Sequence, residues 1–455
     1  MNGRLSALDD SFLAVENASA HMHVGWVAAF RRPEGGDAPR FNELRDHIGS
    51  RLCRAPRFRQ RIASVPLGLN APTWVDDERF DVDRHLLESK ATSLRDLADS
   101  CMSTQLRRDR PLWQICISDR LEDGGIGLVG KVHHCMVDGV AAVELGSLLL
   151  DPSPDPPPAE SDRWTPRRAP GTVTRLLGGI IDRVREEASL ATLPAKILRS
   201  PGRIGELVEP VRRVRDALAE SLRPVEPRDP VNQPITGARH LAWFRRPLTD
   251  LKRIGRPLGA SVNDVLLAAS AGGIRSYMRS HDRESAPLKT MVPVNVRDDG
   301  GETELGNRIS FVFVDLPCDE PDPIRRLQDV RVAMIERKEA GIPEGGDTAM
   351  TAVKYLPRTA QHAITRRIAS PKTFNLTVSN IPGPREPMYM RGCELEAAYP
   401  VVPIADRHAV SVGMTTIGDQ ACFGLYAASE MLPDSDRLAE GVDASIDELL
   451  EHAAL

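Results

Sequence analysis

The chain has 455 residues, a formal net charge of −5, and 41% hydrophobic against 27% charged residues. This is ordinary globular usage in a chain too long for one core, so two domains of roughly 150–200 residues each are expected. The acidic balance excludes nucleic-acid binding through a clustered basic face, and seven scattered cysteines without paired spacing point to reduced thiols rather than a disulfide framework. No basic segment leads into an apolar one, and no run of about 18 apolar residues occurs, so neither secretion nor membrane spanning is expected. The expected location is the cytoplasm.

Along the chain, residues 1–150 alternate strand-like runs (Val24 to Phe30, Trp113 to Ser118) with a helical run from Leu94 to Leu106. This mixed pattern predicts a mixed sheet flanked by helices rather than strict β-α-β repetition. Asp151 to Pro158 is Pro-rich and reads as a stiff extended linker. An Arg-rich stretch follows, Thr172 to Leu222, whose amphipathic helical runs are broken at Pro194, Pro201 and Pro210. With Trp164, Leu176, Leu177, Ile180, Ile181, Ile197 and Leu198 it presents two alternatives. It lies in an anionic membrane interface, or it packs on the body with a solvated basic face. Strand and helix signals resume near residue 238. Val262 to Met278 is the clearest helix, with Ser261 or Asn263 as its cap and Gly272-Gly273 loosening its middle. Asp434 to His452 predicts an amphipathic closing helix. The division expected is therefore 1–150, 151–237 and 238–455.

The stretch that carries chemistry is His133-His134-Cys135-Met136-Val137-Asp138-Gly139. Gly127 to Val132 before it is apolar and strand-like, and Val140 to Leu150 after it is a strong helix former. The histidines thus fall at a strand-to-helix turn, where a side chain projects into a cleft from a rigid scaffold. A neutral imidazole there takes a proton from an alcohol or thiol and returns it. Adjacent residues on a strand point apart, so one histidine is the base, assigned to His134, and His133 packs beside it. Asp138 is either the base's orienter or a structural anion at a helix start. No His-x-x-x-His or Cys-x-x-Cys spacing accompanies the motif, so no metal site is expected. Cys135 reads as a small buried filler. His21 and His23 face one side of a strand, as a structural pair or as part of a tunnel wall.

His-His-x-x-x-Asp-Gly resembles the signature of the CoA-dependent acyltransferase superfamily, which includes chloramphenicol acetyltransferase, carnitine acyltransferases and peptide-synthetase condensation domains. Further landmarks resemble the bacterial wax ester synthase/diacylglycerol acyltransferase family. They include Leu5-Ser6-Ala7-Leu8-Asp9-Asp10-Ser11-Phe12-Leu13, Met22-His23-Val24-Gly25, Pro56 to Arg61, and Trp74 to His85. Pro111-Leu112-Trp113, Asn263-Asp264, Val292 to Arg297, Leu305 to Arg308 and Asn375 to Pro384 follow in family order. The match spans nearly the whole chain. Ala7 stands where that family usually carries proline, Asn295 where it often has serine, and Gly413 to Gly418 replaces a Ser-Tyr-x-Gly pattern.

The resemblance implies two related chloramphenicol acetyltransferase-like α/β domains with mixed sheets and an active-site tunnel at their interface. It implies acyl transfer from acyl-CoA, a co-substrate rather than a bound cofactor, to diacylglycerol or a fatty alcohol. His134 is the implied general base, with His133, Asp138 and Gly139 completing the motif. A Gly-x-Ser-x-Gly nucleophile is missing, in keeping with direct transfer. Thr377, Ser379 and Asn380 are the implied oxyanion or substrate contacts, the alternative being that Ser379-Asn380 only begins the Pro-Gly-Pro turn. Asn263, Asp264 and Trp113 are further substrate-side candidates, with helix capping and core packing as their alternatives. Arg297 is either the partner of Asp138 or an exposed arginine at a strand end, and Pro111 and Leu112 support the catalytic strand or the channel. A lipid product implies peripheral contact with a membrane or lipid droplet. Two other function classes stay open: acyl transfer to a carrier protein or another hydroxyl, and a non-catalytic lipid-binding relative.

Overall fold

The computed structural model describes residues 3–33, 37–66, 70–137, 146, 149–155, 162, 164–171, 174, 177, 223–295, 309–339 and 358–453. The N-terminal elements are α1 (Ala7–Val15), β1 (His23–Arg31), α2 (Phe41–Arg51), β2 (Gln60–Ala63), β3 (Thr73–Asp76), β4 (Leu86–Glu88), α3 (Leu94–Met102), β5 (Trp113–Ser118) and β6 (Ile126–His133). Next come β7 (Arg239–Pro247), α4 (Leu248–Leu258), α5 (Val262–Ser280), β8 (Leu288–Asn295), β9 (Ile309–Leu316), α6 (Pro323–Glu339) and α7 (Arg358–Ile368). The chain closes with β10 (Leu376–Ile381), β11 (Tyr389–Met390), β12 (Cys393–Val401), β13 (Val410–Ile417), β14 (Gln420–Ala428) and α8 (Ser435–Ala453).

Two six-stranded sheets organise these elements, ordered β11-β12-β1-β6-β5-β4 and β7-β14-β13-β10-β8-β9. Both are mixed: β4 and β5 pair in parallel within an otherwise antiparallel sheet, and β10 lies parallel to β13 and β8. The expected mixed α/β class with two sheets is therefore what the chain adopts. One feature escapes a division into consecutive segments. Strands β11 and β12, from beyond residue 388, return to the first sheet, where β12 pairs antiparallel with β1 from Gly25 opposite Val401 onward. The C-terminal half thus completes the N-terminal sheet and locks the two lobes together.

Local sequence explains most element ends. Ser6 and Asp9 form a capping box at α1, and Ser261 with Asp264 forms another at α5, so Ser261 rather than Asn263 is the cap. Helix α3 stops at Met102, earlier than the expected Leu106. Buried Lys131 on β6 recruits the carbonyls of Cys101 and Thr104 at 2.5 and 2.6 Å and the Thr104 hydroxyl at 2.7 Å, which diverts that backbone from a further helical turn. Gly272 and Gly273 do not loosen α5. A Cβ at Gly273 would stand 2.6 Å from the Val442 backbone nitrogen, so these glycines allow α5 and α8 to cross closely.

The expected linker also begins differently. Asp151 is buried, exchanges two backbone hydrogen bonds with Tyr389 at 2.8 Å, and receives Arg51 on both carboxylate oxygens at 3.1 Å. Prolines follow it in the sequence, but its carboxylate answers a buried arginine. Most of the Arg-rich stretch lies outside the described residues. Trp164 packs on the body: the Arg59 guanidinium lies 5.0 Å from its ring, and Phe80 meets it edge-on. No helix among the described residues is long and apolar enough to cross a membrane.

Candidate active site

The two histidines are separated by the pleat of β6. His133 ends the strand, is fully buried, and donates its backbone N–H to Leu112 O at 2.9 Å. His134 begins a turn closed by Met136 N–H to His133 O at 2.9 Å, and its own N–H reaches Met22 O at 2.9 Å. Adjacent residues on an extended strand face opposite sides, so the imidazoles diverge. His134 stacks on Phe12 of α1 with ring centroids 3.9 Å apart and an interplanar angle of 13°. His133 turns to the other side, where its Nδ1 accepts the Cys135 N–H at 3.1 Å. A neutral ring that accepts at Nδ1 carries its proton on Nε2, and that atom faces Glu16 Oε2 at 3.6 Å.

His134 borders a chamber of about 1010 Å³, part of it open to solvent, at the junction of the lobes. The N-terminal side supplies Leu8, Ser11, Phe12, Val15 and Met22; the C-terminal side supplies Met291, Pro293, Phe311, Ile368, Phe374, Thr377 and Val402 among others. Met22 reaches this wall because it adopts a left-handed backbone (φ 51°), which interrupts strand alternation ahead of β1. A second carbon-lined space of about 770 Å³ lies further along the same faces. Val24, Trp26, Ala28, Leu128, Ile381, Ala398 and Ile417 are among its walls.

Strand parity relates the two spaces. Thr377, Ser379 and Ile381 share one face of β10; Thr377 lines the first chamber and Ile381 the second. Ser379, buried, therefore stands between them, roughly 7 Å along the strand from each neighbour on its face. Asn380 takes the opposite face by the same alternation, so Thr377 and Ser379 are the members of the expected oxyanion group that share the chamber side.

The remaining expected residues separate by place. Trp113 is a core residue: its indole N–H reaches Phe58 O at 2.7 Å and its ring stacks on His85 at 4.5 Å. It pairs with Val132 of β6, and the Leu112 carbonyl holds His133, so Pro111-Leu112-Trp113 braces the strand that ends at the histidine turn. Asp264 is occupied in the α5 capping box, and neither it nor Asn263 lines the His134 chamber. Asp138, Gly139 and Arg297 lie outside the described residues. His21 and His23 stand with rings 5.2 Å apart; His21 Nε2 meets Ala18 O and the Leu106 N–H meets His23 Nε2, so this pair is tied to backbone rather than to the chamber. Burial pushes the Cys135 thiol well above its ordinary range, which leaves it an inert filler.

Two residues missed in the sequence complete the geometry, Phe12 and Glu16. Both sit on or next to α1, a short amphipathic helix whose partner surface is invisible in sequence. The Glu16 side chain is 2% exposed, accepts from Gln105 Nε2 at 2.8 Å and Arg108 Nε at 2.9 Å, and faces His133. Burial pushes its carboxyl up, but His133, Arg108 and Gln105 outweigh that and bring it down to about 2. A folded value below the ordinary 4.5 means that ionised Glu16 favours the folded state above pH 4.5, and that this contribution fades as pH falls toward about 2. The stability gap between wild type and Glu16→Ala is accordingly expected to narrow across that window. Urea midpoints measured at successive pH values check this, and a gap that stays constant or widens would count against it.

Comparison with known proteins agrees with this architecture. The family model for the wax ester synthase/diacylglycerol acyltransferase catalytic domain matches residues 5–266, and that for the family's C-terminal domain matches residues 305–450. A probable diacylglycerol O-acyltransferase of Mycobacterium tuberculosis is 30% identical, covering 98% of this chain and 95% of its own. Among solved structures, the wax ester synthase/diacylglycerol acyltransferase from Marinobacter aquaeolei VT8 superposes with a TM-score of 0.70 at 27% identity, covering 99% of this chain and 100% of the other. The first condensation domain of the CDA synthetase has the same fold at a TM-score of 0.59 and 16% identity, covering 100% and 96%. Two family models covering most of the chain, together with near full-length relatives, place this protein in the wax ester synthase/diacylglycerol acyltransferase family.

Proposed function

We propose that this protein transfers a long acyl chain from acyl-CoA to the hydroxyl of diacylglycerol, making triacylglycerol, and that it takes long-chain alcohols as alternative acceptors to make wax esters. The observation that carries this reading is His134 on the wall of one carbon-lined chamber, with a second carbon-lined space reached four residues further along β10, where Thr377 lines the first and Ile381 the second. A reaction that joins two hydrocarbon-bearing substrates needs two such arms and one base between lobes.

In the proposed reaction His134 takes the proton of the acceptor hydroxyl as its oxygen attacks the thioester carbonyl. The Thr377 and Ser379 hydroxyls, on the chamber face of β10, are the donors offered to the oxyanion that develops. Collapse of the tetrahedral intermediate breaks the C–S bond, and the CoA thiolate leaves with the proton held by His134. No bond forms between substrate and enzyme. The product is practically insoluble, so the protein works at a bilayer or droplet surface on a peripheral footing.

The test is CoA release from palmitoyl-CoA by the purified full-length chain, with diacylglycerol and hexadecanol supplied separately. Thiol release that depends on acceptor, with the matching ester recovered by mass spectrometry, is the expected outcome. Folded protein that releases no CoA with either acceptor would overturn the reading.

A further inference from the structure

Glu16 touches both neighbours of His134. As the C-cap of α1 it donates its backbone N–H to Phe12 O at 3.2 Å, one helical turn back, and the Phe12 ring is the surface on which His134 stacks. Its carboxylate faces His133 Nε2, the residue that precedes His134 in the turn. Arg108 and Gln105 hold the carboxylate from the far side, so it has no freedom to swing away. His133 in turn offers Nδ1 to the Cys135 N–H, the residue that follows His134. A buried carboxylate beside a fully buried imidazole costs desolvation that packing alone does not require, and an apolar residue would fill this space at less cost.

We propose that Glu16 is a positioning residue for the acyl-transfer reaction: its carboxylate keeps the proton of His133 on Nε2, reserves Nδ1 for the Cys135 N–H, and so holds the turn that presents His134 against Phe12. The inference rests on His134 acting as the base. It assigns to an acidic residue near the N-terminus the control of imidazole orientation at residue 134, through residue 133 rather than by touching substrate. The acceptor function, more than the charge, is what the turn needs. An amide at position 16 can present its oxygen to His133 and Arg108 while Gln105 rotates its own amide to accept.

The experiment compares wild type, Glu16→Ala and Glu16→Gln as full-length proteins, with palmitoyl-CoA and diacylglycerol. Glu16→Ala is expected to lose about 100-fold in kcat, the scale of a base displaced by about 1 Å, with the KM for palmitoyl-CoA unchanged. Glu16→Gln is expected to keep most of the turnover. Nitrogen-15 histidine NMR of wild type, assigned with His133→Gln, is expected to show the His133 proton on Nε2, and Glu16→Gln should preserve that signature. Wild-type kcat in Glu16→Ala, equal losses in both variants, or a His133 proton on Nδ1 in wild type would each overturn the proposal. The NMR readout needs no turnover and no folded alanine variant. A wild type that turns over no acceptor would therefore refute the proposed reaction while the Glu16–His133 coupling is still decided.

Discussion

Replacing His134 by alanine is expected to lower kcat by about 10²–10⁴-fold, the range for removal of a general acid–base group. The imidazole is the titratable ring that borders the junction chamber, and His133 cannot substitute for it. The strand pleat sends His133 to the opposite side, and its Nδ1 is engaged by the Cys135 N–H. The change removes a ring stacked on Phe12 at the chamber wall, so the fold should survive with a somewhat wider chamber. CoA release under saturating palmitoyl-CoA and diacylglycerol, beside a urea melt of the same sample, separates chemistry from folding. His133→Ala should instead lower stability first, since it empties a fully buried site. Retention of wild-type kcat by folded His134→Ala would dismiss the imidazole as base.

Asp151→Ala is expected to cost about 3–5 kcal/mol of stability, the range for breaking one side of a buried ion pair. Arg51 reaches both Asp151 oxygens at 3.1 Å, and the two side chains are only 4% and 2% exposed. His47 stands 3.3 Å from the same carboxylate, and burial together with the Arg51 guanidinium pushes it down to about 4, so it stays neutral at physiological pH. Truncating the aspartate strands a guanidinium in a dry site, and that stranded charge, more than the lost contact, sets the penalty. The companion variant Arg51→Met with Asp151→Leu removes both charges and is expected to recover most of the loss. Urea midpoints followed by far-UV dichroism and tryptophan fluorescence measure both variants, and coincidence of the two probes shows whether one transition is being compared. A single variant as stable as wild type would mean that water reaches Arg51.

Most elements were legible because their signals are local. Trp113–Ser118 emerges as a strand with the expected bounds, and the closing helix begins within a residue of its expected start. Alternation and helical periodicity are set by each residue's immediate neighbours, and capping boxes such as Ser261 with Asp264 are three residues wide. The adjacent histidines could be told apart in principle by the same local rule, since a pleat sends neighbours to opposite faces. Errors arose where a residue answers to something far away in sequence. Helix α3 ends at Met102 because Lys131 claims the Cys101 and Thr104 carbonyls on either side of that end. Gly272 and Gly273 serve a helix about 170 residues later.

By itself the sequence determined the α/β class, the strand-to-turn setting of His133 and His134, and, through motifs in order along the chain, the family. These depend on short-range chemistry and on residue identity. Tertiary structure alone decided that β12 returns to complete the first sheet, that Asp151 is an anchor rather than the start of a free linker, and that Phe12 and Glu16 flank the histidine turn. It also decided that Thr377, more than 240 residues after His134, lines the chamber beside it. A carboxylate or hydroxyl on a short helix or strand has no local mark of its partner. Which one is buried beside the histidine turn is set by how the two lobes pack, and that packing is a sum over contacts distant in sequence.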